Sequence, residues 1–576
     1  MSNRKSLAIV LSITAIILFL MLPIRDQVYR DDFAYAQSVK QFVDTGQIRV
    51  TEWAAPTLIL QILWGVLFSK ILGYSLGALH VAVIVLLPVI LIFIYKILRI
   101  VYIKLFDALI LTIFFLSIPF ILQFTYTFQT DIPFLALEVA SIYFYLKGFK
   151  ENNSKNLFIG SVLAIAGFMI RQIAIALIVS AAFTVLIQSK NLPRKQILKK
   201  LITVCLFPIF VISVYFIWIF SNNHQTVTQI SYQSFLINNL KTVIPFTNIN
   251  FSDRAKLILL LNHRLVALFS LIAGLFAIPL STIILINIRK IKDSVKNHIL
   301  YLSIFIVFLV WGVDYTFFRE SFVLGFPIDT YKNEQLFPFY WPIIWKYLVA
   351  LGIFSLVVIN SYKFSLVKKL NTKLVFLWLS FGLLIGMSVT SKFYWDRYVI
   401  VFLPFVIIFT GLKLRFLNIP KFLLTILVLF LLFDSLQMNK LRYDINGLAQ
   451  KEASQLVNTG ISPTQIIPNE EEFWVYWYTF ENQMKSELSR ENGDKSRATI
   501  PSIPGNLIYI KSSDGKDNIY LNEYLILDES SLNKIPSDFD YSISKGIDVR
   551  SLLVKSRLYL IRINNLYNNS NDVLPI

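Results

Sequence analysis

Residues 25–73 read RDQVYRDDFAYAQSVKQFVDTGQIRVTEWAAPTLILQILWGVLFSKILG and lie between two strongly apolar runs. The carboxylates of this stretch are Asp26, Asp31, Asp32, Asp44 and Glu52. An acidic group beside hydrocarbon is costly unless it is solvated, paired or used in chemistry. The stretch therefore predicts a functional acidic loop at the mouth of a membrane-embedded bundle.

The composition of the whole chain indicates a polytopic membrane protein. Of its 576 residues, 56% are hydrophobic and 15% are charged, against about 25% charged residues in soluble domains. Cys205 is the single cysteine, so no internal disulfide and no thiolate metal cluster are predicted. The four histidines show no ligand spacing, and no glycine-rich phosphate loop is present. The sequence calls for no cofactor and no nucleic acid, and it leaves a divalent metal open.

Apolar runs of suitable length predict about thirteen membrane crossings. The predicted spans are residues 7–24, 77–98, 107–123, 131–147, 157–170, 173–188, 201–220, 265–287, 299–313, 343–361, 374–390, 398–411 and 422–437. The run at 57–73 carries Gln61, Trp64 and Lys70 among apolar residues. This mixture favours a helix lying in the membrane interface over a further crossing. The first span has no small-residue cleavage site, so we expect it to be retained.

The placement of positive charge predicts the orientation. Lysine and arginine concentrate in alternate short loops, for example at residues 96–104, 190–200 and 363–373, whereas the other loops hold most of the carboxylates. Lysine and arginine mark the cytoplasmic side of a membrane. We therefore expect a multi-pass protein of the plasma (inner) membrane, with a cytoplasmic amino terminus and an outside tail.

The composition changes past Asp434 and predicts two domains. Residues 1–438 are expected to form an all-α transmembrane module whose first outer loop covers residues 25–76. Residues 439–576 are polar, with a predicted helix at 445–458 and strand-like runs NLIYI, IYLNEYLIL and RLYLIRI separated by turn residues. The expected fold class is thus a helical membrane bundle with a small extracytoplasmic α/β domain.

Three acidic residues are candidates for catalysis. Adjacent carboxylates such as Asp31 and Asp32 repel, which raises the pKa of one of them toward that of a general base. An ordinary solvated loop exit is the alternative interpretation. Asp131 lies on the same predicted side, but Thr130 before it and Pro133 after it also describe a helix start. Both interpretations of each position stay open.

Cationic residues at the same side suggest an anion site. Arg171 in GFMIRQIAIAL lies between two short apolar segments, and a hairpin there would place it at the outer face. Its planar guanidinium suits a lipid phosphate, with a structural salt bridge as the alternative. In the turn SKFYWDRY, Lys392 and Arg397 beside Tyr398 fit either a phosphate site or an interfacial belt.

Together these motifs resemble the GT-C membrane glycosyltransferases, and most of all the protein O-mannosyltransferase and lipid A aminoarabinose transferase group. The resemblance starts with the acidic pair, Tyr35, Gly46 and the run from Glu52 to Pro56. TYTFQTDIPF is similar to the group's second acidic segment, GFMIRQIAIAL to its basic hairpin, and WDRYVIVFLPF to its Arg-Tyr helix start. A departure is the run from Glu52 to Pro56, which lacks the lysine that contacts the donor phosphate in relatives.

The resemblance implies an inverting displacement on a sugar held by polyprenyl phosphate, with a lipid, glycan or protein as acceptor and membrane lipids around it. It implies Asp31 as general base and leaves Asp32 and Asp131 as further catalytic candidates. Arg171, Arg397, Lys392 and Tyr398 would bind the donor phosphate, while Tyr35 and Glu52 would face the acceptor. The alternatives are a lipid-linked glycan polymerase or ligase, a transporter or flippase of such lipids, and a non-catalytic assembly protein. Transporters, however, place their polar groups near the midplane in paired repeats.

Overall fold

A computed structural model describes residues 2–29, 31–51, 54–55, 57–188, 193–221, 225–243, 251–287, 289, 351–356, 358–359, 372–391, 396–414, 417, 421–461, 466–468, 508–511, 518–521, 524–528, 541–551 and 554–563. The α-helices of these parts are α1 (Asn3–Leu20), α2 (Asp32–Thr45), α3 (Ile59–Leu72), α4 (Leu76–Ile84), α5 (Leu86–Ile100), α6 (Leu105–Ser117), α7 (Pro119–Thr125), α8 (Asp131–Glu151), α9 (Ser154–Phe168), α10 (Ile175–Ile187), α11 (Arg194–Ser221), α12 (Val227–Val243), α13 (Phe251–Ile286), α14 (Thr372–Val389), α15 (Leu403–Leu414) and α16 (Lys421–Asn458). Short 3-10 helices cover Gln172–Ala174 and Asp396–Phe402.

The described part of the chain is a multi-pass helical bundle, as predicted. Seven of its helical segments are long and apolar enough to cross a membrane. The segments are Asn3–Leu20, Leu76–Ile100, Asp131–Glu151, Arg194–Ser221, Thr372–Val389, Arg397–Leu414 and Lys421–Asn458. The pair α6 and α7, bent by 61° at a short break, would be an eighth. The number thirteen stays a prediction, because the span 299–313 and most of 343–361 lie outside the described residues.

The run at 57–73 forms α3, whose 14 residues are fewer than the ~20 that a crossing needs. Lys70 is exposed, but Gln61 and Trp64 face the bundle. Gln61 is fully buried and donates to the Phe128 carbonyl at 2.7 Å, while the Trp64 indole donates to the Ala82 carbonyl at 2.7 Å. These polar residues hold α3 against the bundle, because buried donors need acceptors. The interfacial placement of α3 stays a prediction.

The end of the bundle differs from expectation. A separate span at 422–437 and a helix at 445–458 were predicted, whereas the structure has the single 38-residue helix α16 across both. The helix continues because its second half, residues 440–458, buries Ile445, Ala449 and Ala453 against strand residues such as Ile466 and Leu558. We call residues 440–458 the outer half of α16, after the side that the charge pattern predicts for them. The predicted domain boundary between residues 438 and 439 stays a prediction, and α16 runs across it.

The tail carries the strands that the sequence predicts, together with others. They are β1 (Ile466–Pro468), β2 (Ile508–Lys511), β3 (Asn518–Leu521), β4 (Tyr524–Asp528), β5 (Tyr541–Ser551) and β6 (Val554–Ile563). One sheet has the order β1-β4-β6-β5, in which β1 is parallel to β4 and the other pairs are antiparallel. Strands β2 and β3 pair separately as an antiparallel ribbon. The four-stranded sheet packs on the outer half of α16.

Candidate active site

Asp31 stands at the start of α2 and binds an arginine from a distant part of the chain. It occupies the N-cap position, yet its side chain makes no capping hydrogen bond. Instead, Arg397 Nη2 donates to Asp31 Oδ2 at 2.7 Å, and Arg397 Nη1 donates to the side-chain oxygen of Gln129. Arg397 comes from the 3-10 helix that precedes α15. The ion pair thus joins the start of α2 to the 3-10 helix before α15.

Asp131 makes a second pair of the same kind at the start of α8. Arg171 Nη2 donates to Asp131 Oδ1 at 2.8 Å, and Arg171 Nε donates to Thr130 Oγ1 at 2.7 Å. Arg171 lies on extended backbone in the break between α9 and the following 3-10 helix. The break predicted there is present, and so is the salt bridge that the sequence left as an alternative.

The two ion pairs form one cluster. Gln129 and Asp131, which contact Arg397 and Arg171 respectively, are almost consecutive in the chain. The Arg171 guanidinium lies 5.5 Å from the centre of the Tyr398 ring, next in sequence to Arg397. The formal charges of the cluster cancel, because it holds two carboxylates and two guanidinium groups. We call Asp31, Asp131, Arg171 and Arg397 the ion cluster.

Tyr35 lies within the electrostatic reach of the whole ion cluster. Burial, and then the Asp31 charge, raise the pKa of the Tyr35 hydroxyl well above its usual range, while Arg397 and Arg171 oppose the shift. The raised pKa favours the protonated phenol, which can donate or accept a hydrogen bond in the site.

Exposure separates the two acids of the ion cluster. The side chain of Asp31 is 19% exposed and that of Arg397 is 12% exposed. Arg171 keeps 14% exposure, but Asp131 has none. A small part of Asp31 and of each arginine is therefore accessible, whereas the Asp131 side chain is not. The arrangement suits Asp31 for proton transfer and Asp131 for holding Arg171.

Asp32 lies apart from the ion cluster. Its carboxylate is fully buried and lies 3.1 Å from His80 Nε2 in α4, and the histidine is fully buried as well. Burial raises the pKa of Asp32, and the His80 contact opposes the rise. Consecutive residues at a helix start point about 100° apart, so Asp31 faces the cluster while Asp32 faces the protein interior. A catalytic contact by Asp32 is not supported by this arrangement.

Several polar residues that complete the site were not among the predicted ones. Tyr232 of α12 hydrogen-bonds with Tyr398, and burial raises the pKa of its hydroxyl. Gln172 Nε2 donates to Gln229 Oε1 of α12 at 2.9 Å. The helix α12 therefore forms a wall of the site. Only Gln129 had a local signal, since it is an amide in the apolar segment before Asp131.

Two predicted site residues, Lys392 and Glu52, lie outside the described residues. Among the described residues, no group of three or more His, Cys, Asp or Glu side chains is placed to hold a metal ion.

A known family model matches a segment in the first half of the chain. Residues 57–218 match the family model of dolichyl-phosphate-mannose-protein mannosyltransferase. This range contains Asp131 and Arg171 and excludes Asp31 and Arg397. The resemblance to GT-C glycosyltransferases that the motifs indicate is confirmed for these residues. No curated protein matched the sequence.

The chain is also similar to parts of several solved structures. The protein O-mannosyltransferase Pmt1-Pmt2 complex of S. cerevisiae, bound to the sugar donor, is 15% identical with a TM-score of 0.33 over 38% of this chain and 34% of that one. Archaeal oligosaccharyltransferase AglB from Archaeoglobus fulgidus is 11% identical, with a TM-score of 0.42 over 86% and 61%. ArnT from Cupriavidus metallidurans is 10% identical, with a TM-score of 0.39 over 97% and 98%. The chain thus spans about a third of the yeast relative and three-fifths of the archaeal one.

Proposed function

We propose that this chain is an integral membrane glycosyltransferase that moves a sugar from a polyprenyl-phosphate donor to an acceptor hydroxyl on the extracytoplasmic face. The ion cluster carries the proposal, because it gathers a reachable carboxylate and two guanidinium groups from distant parts of the chain. The family match over residues 57–218, which include Asp131 and Arg171, supports the same chemistry.

Asp31 is the proposed general base. Its carboxylate is the more exposed of the two in the ion cluster, and a base must come within hydrogen-bond reach of the proton that it removes. Asp131 is proposed to orient Arg171. Asp32 is proposed to support Asp31 from the interior side, since it pairs with His80 away from the cluster.

The donor phosphate is proposed to bind Arg171 and Arg397. A guanidinium group presents several N–H donors in a plane and matches phosphate oxygens in a bidentate manner. Tyr398 lies under Arg171 and would keep that group aimed at the site. Lys392 remains a further candidate for the same phosphate.

The proposed reaction is a single displacement. The acceptor hydroxyl gives its proton to Asp31 as its oxygen forms a bond to the anomeric carbon. The bond from this carbon to the phosphate oxygen breaks, and its electron pair stays on the departing polyprenyl phosphate. Arg171 and Arg397 stabilise the charge that develops there, and the attack from the opposite side inverts the anomeric centre.

The observed pairing implies an order of events. A carboxylate that binds a guanidinium at 2.7 Å is a weaker base, because the positive charge favours its ionised form. A donor phosphate would compete with Asp31 for Arg397 and so release the carboxylate. The donor is therefore proposed to bind before the acceptor. Tyr35, and Glu52 beyond the described residues, are proposed to face an acceptor that is a lipid, a glycan or a protein.

The test is transfer by purified, reconstituted protein from a panel of synthetic polyprenyl-phosphate sugars, with release of polyprenyl phosphate as the readout. Asp31→Asn keeps the size of the side chain and removes its basic oxygen. We expect transfer to fall by about 10²–10⁴-fold, the usual contribution of a general base. Asp44→Asn is the matched control, because Asp44 is exposed at the other end of α2, and it should transfer at the normal rate.

Two results would overturn the proposal. Normal transfer by Asp31→Asn would remove Asp31 as the base. If no donor in the panel supports transfer, and the protein instead moves a fluorescent lipid-linked glycan across liposomes, the chain is a flippase. A flippase needs no base at the outer face, so Asp31→Asn would then translocate normally.

A further inference from the structure

The segment that leads into Asp31 is held by the last membrane helix. Residues Arg25–Tyr29 follow α1 and adopt neither helix nor strand. Backbone without secondary structure needs partners from elsewhere when it is buried, and Val28 and Tyr29 are both buried. Many of these partners lie on the outer half of α16, more than 400 residues later in the chain.

Gln450 of α16 makes two of these contacts, both to the backbone of Val28. Its side-chain amide donates to the Val28 carbonyl at 2.7 Å, and its side-chain oxygen accepts from the Val28 N–H at 2.7 Å. The side-chain amide thus satisfies both backbone groups of Val28, as a neighbouring β-strand would. Both partners are buried, with 3% exposure for Gln450 and 1% for Val28. Water cannot take over these hydrogen bonds without opening the site.

Arg25 is fixed to the same face of α16. Its backbone N–H donates to the Tyr443 hydroxyl at 2.7 Å, and its guanidinium lies 3.3 Å from Asp444. Gly447 permits this approach, since a Cβ atom there would lie 2.1 Å from Arg25 Cδ. Lys440 adds a contact to the Leu22 carbonyl at 2.8 Å and one to Asp444 at 2.9 Å.

Tyr29 connects this segment to the ion cluster. The Arg442 guanidinium of α16 lies 5.4 Å from the centre of the Tyr29 ring. The Tyr29 carbonyl accepts from Gln129 Nε2 at 3.0 Å, and Gln129 also contacts Arg397, the partner of Asp31. A displacement of the segment would therefore move both Asp31 and the amide that orients its arginine.

We propose that the outer half of α16 positions the catalytic loop, and that Gln450 is a positioning residue that acts on Asp31 through the Val28 backbone. The consequence for catalysis rests on the proposed function, whereas the positioning itself does not. Because α16 also carries the four-stranded sheet of the tail, a single helix would link the tail to the proposed base.

Gln450→Leu tests the proposal in the full chain, because it keeps the volume and removes both hydrogen bonds. Amide hydrogen exchange, read by mass spectrometry of peptides that contain Val28 and Tyr29, should speed up at least tenfold. Transfer should show a kcat lowered by about 10–100-fold, the effect of a misplaced catalytic group. The KM for the donor should rise by a smaller factor, because Arg397 is affected only through Gln129. Gln455→Leu is the control, since Gln455 is an exposed residue of the same helix.

A milder variant covers the case in which Gln450→Leu does not fold. Tyr443→Phe keeps the ring against Tyr126, 5.6 Å away between centres, and removes the acceptor of the Arg25 N–H. It should speed exchange of the same peptides by a smaller factor. Unchanged exchange in the folded variants would overturn the proposal. If the variants exchange faster but the unmodified protein transfers no sugar, the positioning is upheld and the proposed function fails.

Discussion

At the scale of single residues, two helix starts at the ion cluster lack the side-chain cap that their N-cap residues could supply. Asp31 and Thr130 are N-cap residues by position and by type, yet neither side chain caps its helix. Both face an arginine instead. A side-chain cap contributes about 1 kcal/mol, so the two helices forgo stability that their sequences could supply. Local rules are most often broken at functional sites, which supports a role for these positions in chemistry.

The buried pair of Asp32 and His80 leads to a stability prediction. His80→Leu leaves a fully buried carboxyl group without its imidazole partner. We expect the free energy of unfolding to fall by about 3 kcal/mol, the lower end for a broken buried pair. Unfolding of the purified protein in detergent, followed by intrinsic fluorescence, measures the loss.

His80→Gln is the control, because its amide can still donate to Asp32. Joining Asp32→Asn to His80→Leu should recover part of the lost stability, since no buried carboxyl group then lacks its imidazole. If His80→Leu unfolds at the same denaturant concentration as the unmodified protein, the pair does not support the start of α2.

Tyr35 allows a prediction about pH. Burial and the Asp31 charge raise the pKa of its hydroxyl above the usual 10, so the group stays protonated in the alkaline range of an assay. Tyr35→Phe should lower transfer by about tenfold or more, because the site loses a hydroxyl that lies close to its charged groups. The alkaline limb of the pH–rate profile should stay in place. A limb that shifts or vanishes in Tyr35→Phe would mean that the tyrosine itself titrates in the reaction.

At the scale of elements, the sequence predicts where helices begin and end better than it predicts which helix ends contact one another. Gly, Pro and charge signals are local, so the helix start at Asp131 and the break at Arg171 could be predicted from a few residues. The pairing of Asp31 with Arg397 spans 366 positions and depends on how the whole bundle packs. The length of α16 was missed for a related reason. Its polar outer half resembles a separate domain, and only burial against the first loop and the sheet extends the helix.

The contact between the start of α8 and the break before α10 can be tested by charge removal. Asp131→Asn leaves Arg171, which is 14% exposed, without its anionic partner. We expect a loss of about 3 kcal/mol in the free energy of unfolding and weaker binding of polyprenyl phosphate. Adding Arg171→Gln to Asp131→Asn should recover stability but not phosphate binding. Equal stability of the single variant and the unmodified protein would show that this pair does not hold the break.

At the scale of the whole molecule, the ion cluster gathers one end of several helices. The starts of α2 and α8, the break before α10 and the segment before α15 all contribute to it. The outer half of α16 meets the same loop. Alternate loops rich in lysine and arginine, such as residues 147–155, belong to the opposite end by the sequence pattern. The bundle thus has an acidic, site-bearing end and a basic end.

This asymmetry predicts the orientation of the molecule. Short loops rich in lysine and arginine stay in the cytoplasm, so the end that carries the site should face outward. Two single-cysteine proteins, made after Cys205→Ala removes the native thiol, test the prediction. Asn458→Cys lies at the exposed end of α16 and Lys155→Cys at the exposed start of α9. A membrane-impermeant maleimide should label Asn458→Cys in intact cells, and Lys155→Cys only after permeabilisation. The reverse pattern would place the ion cluster on the cytoplasmic side, where a donor presented outside could not reach it.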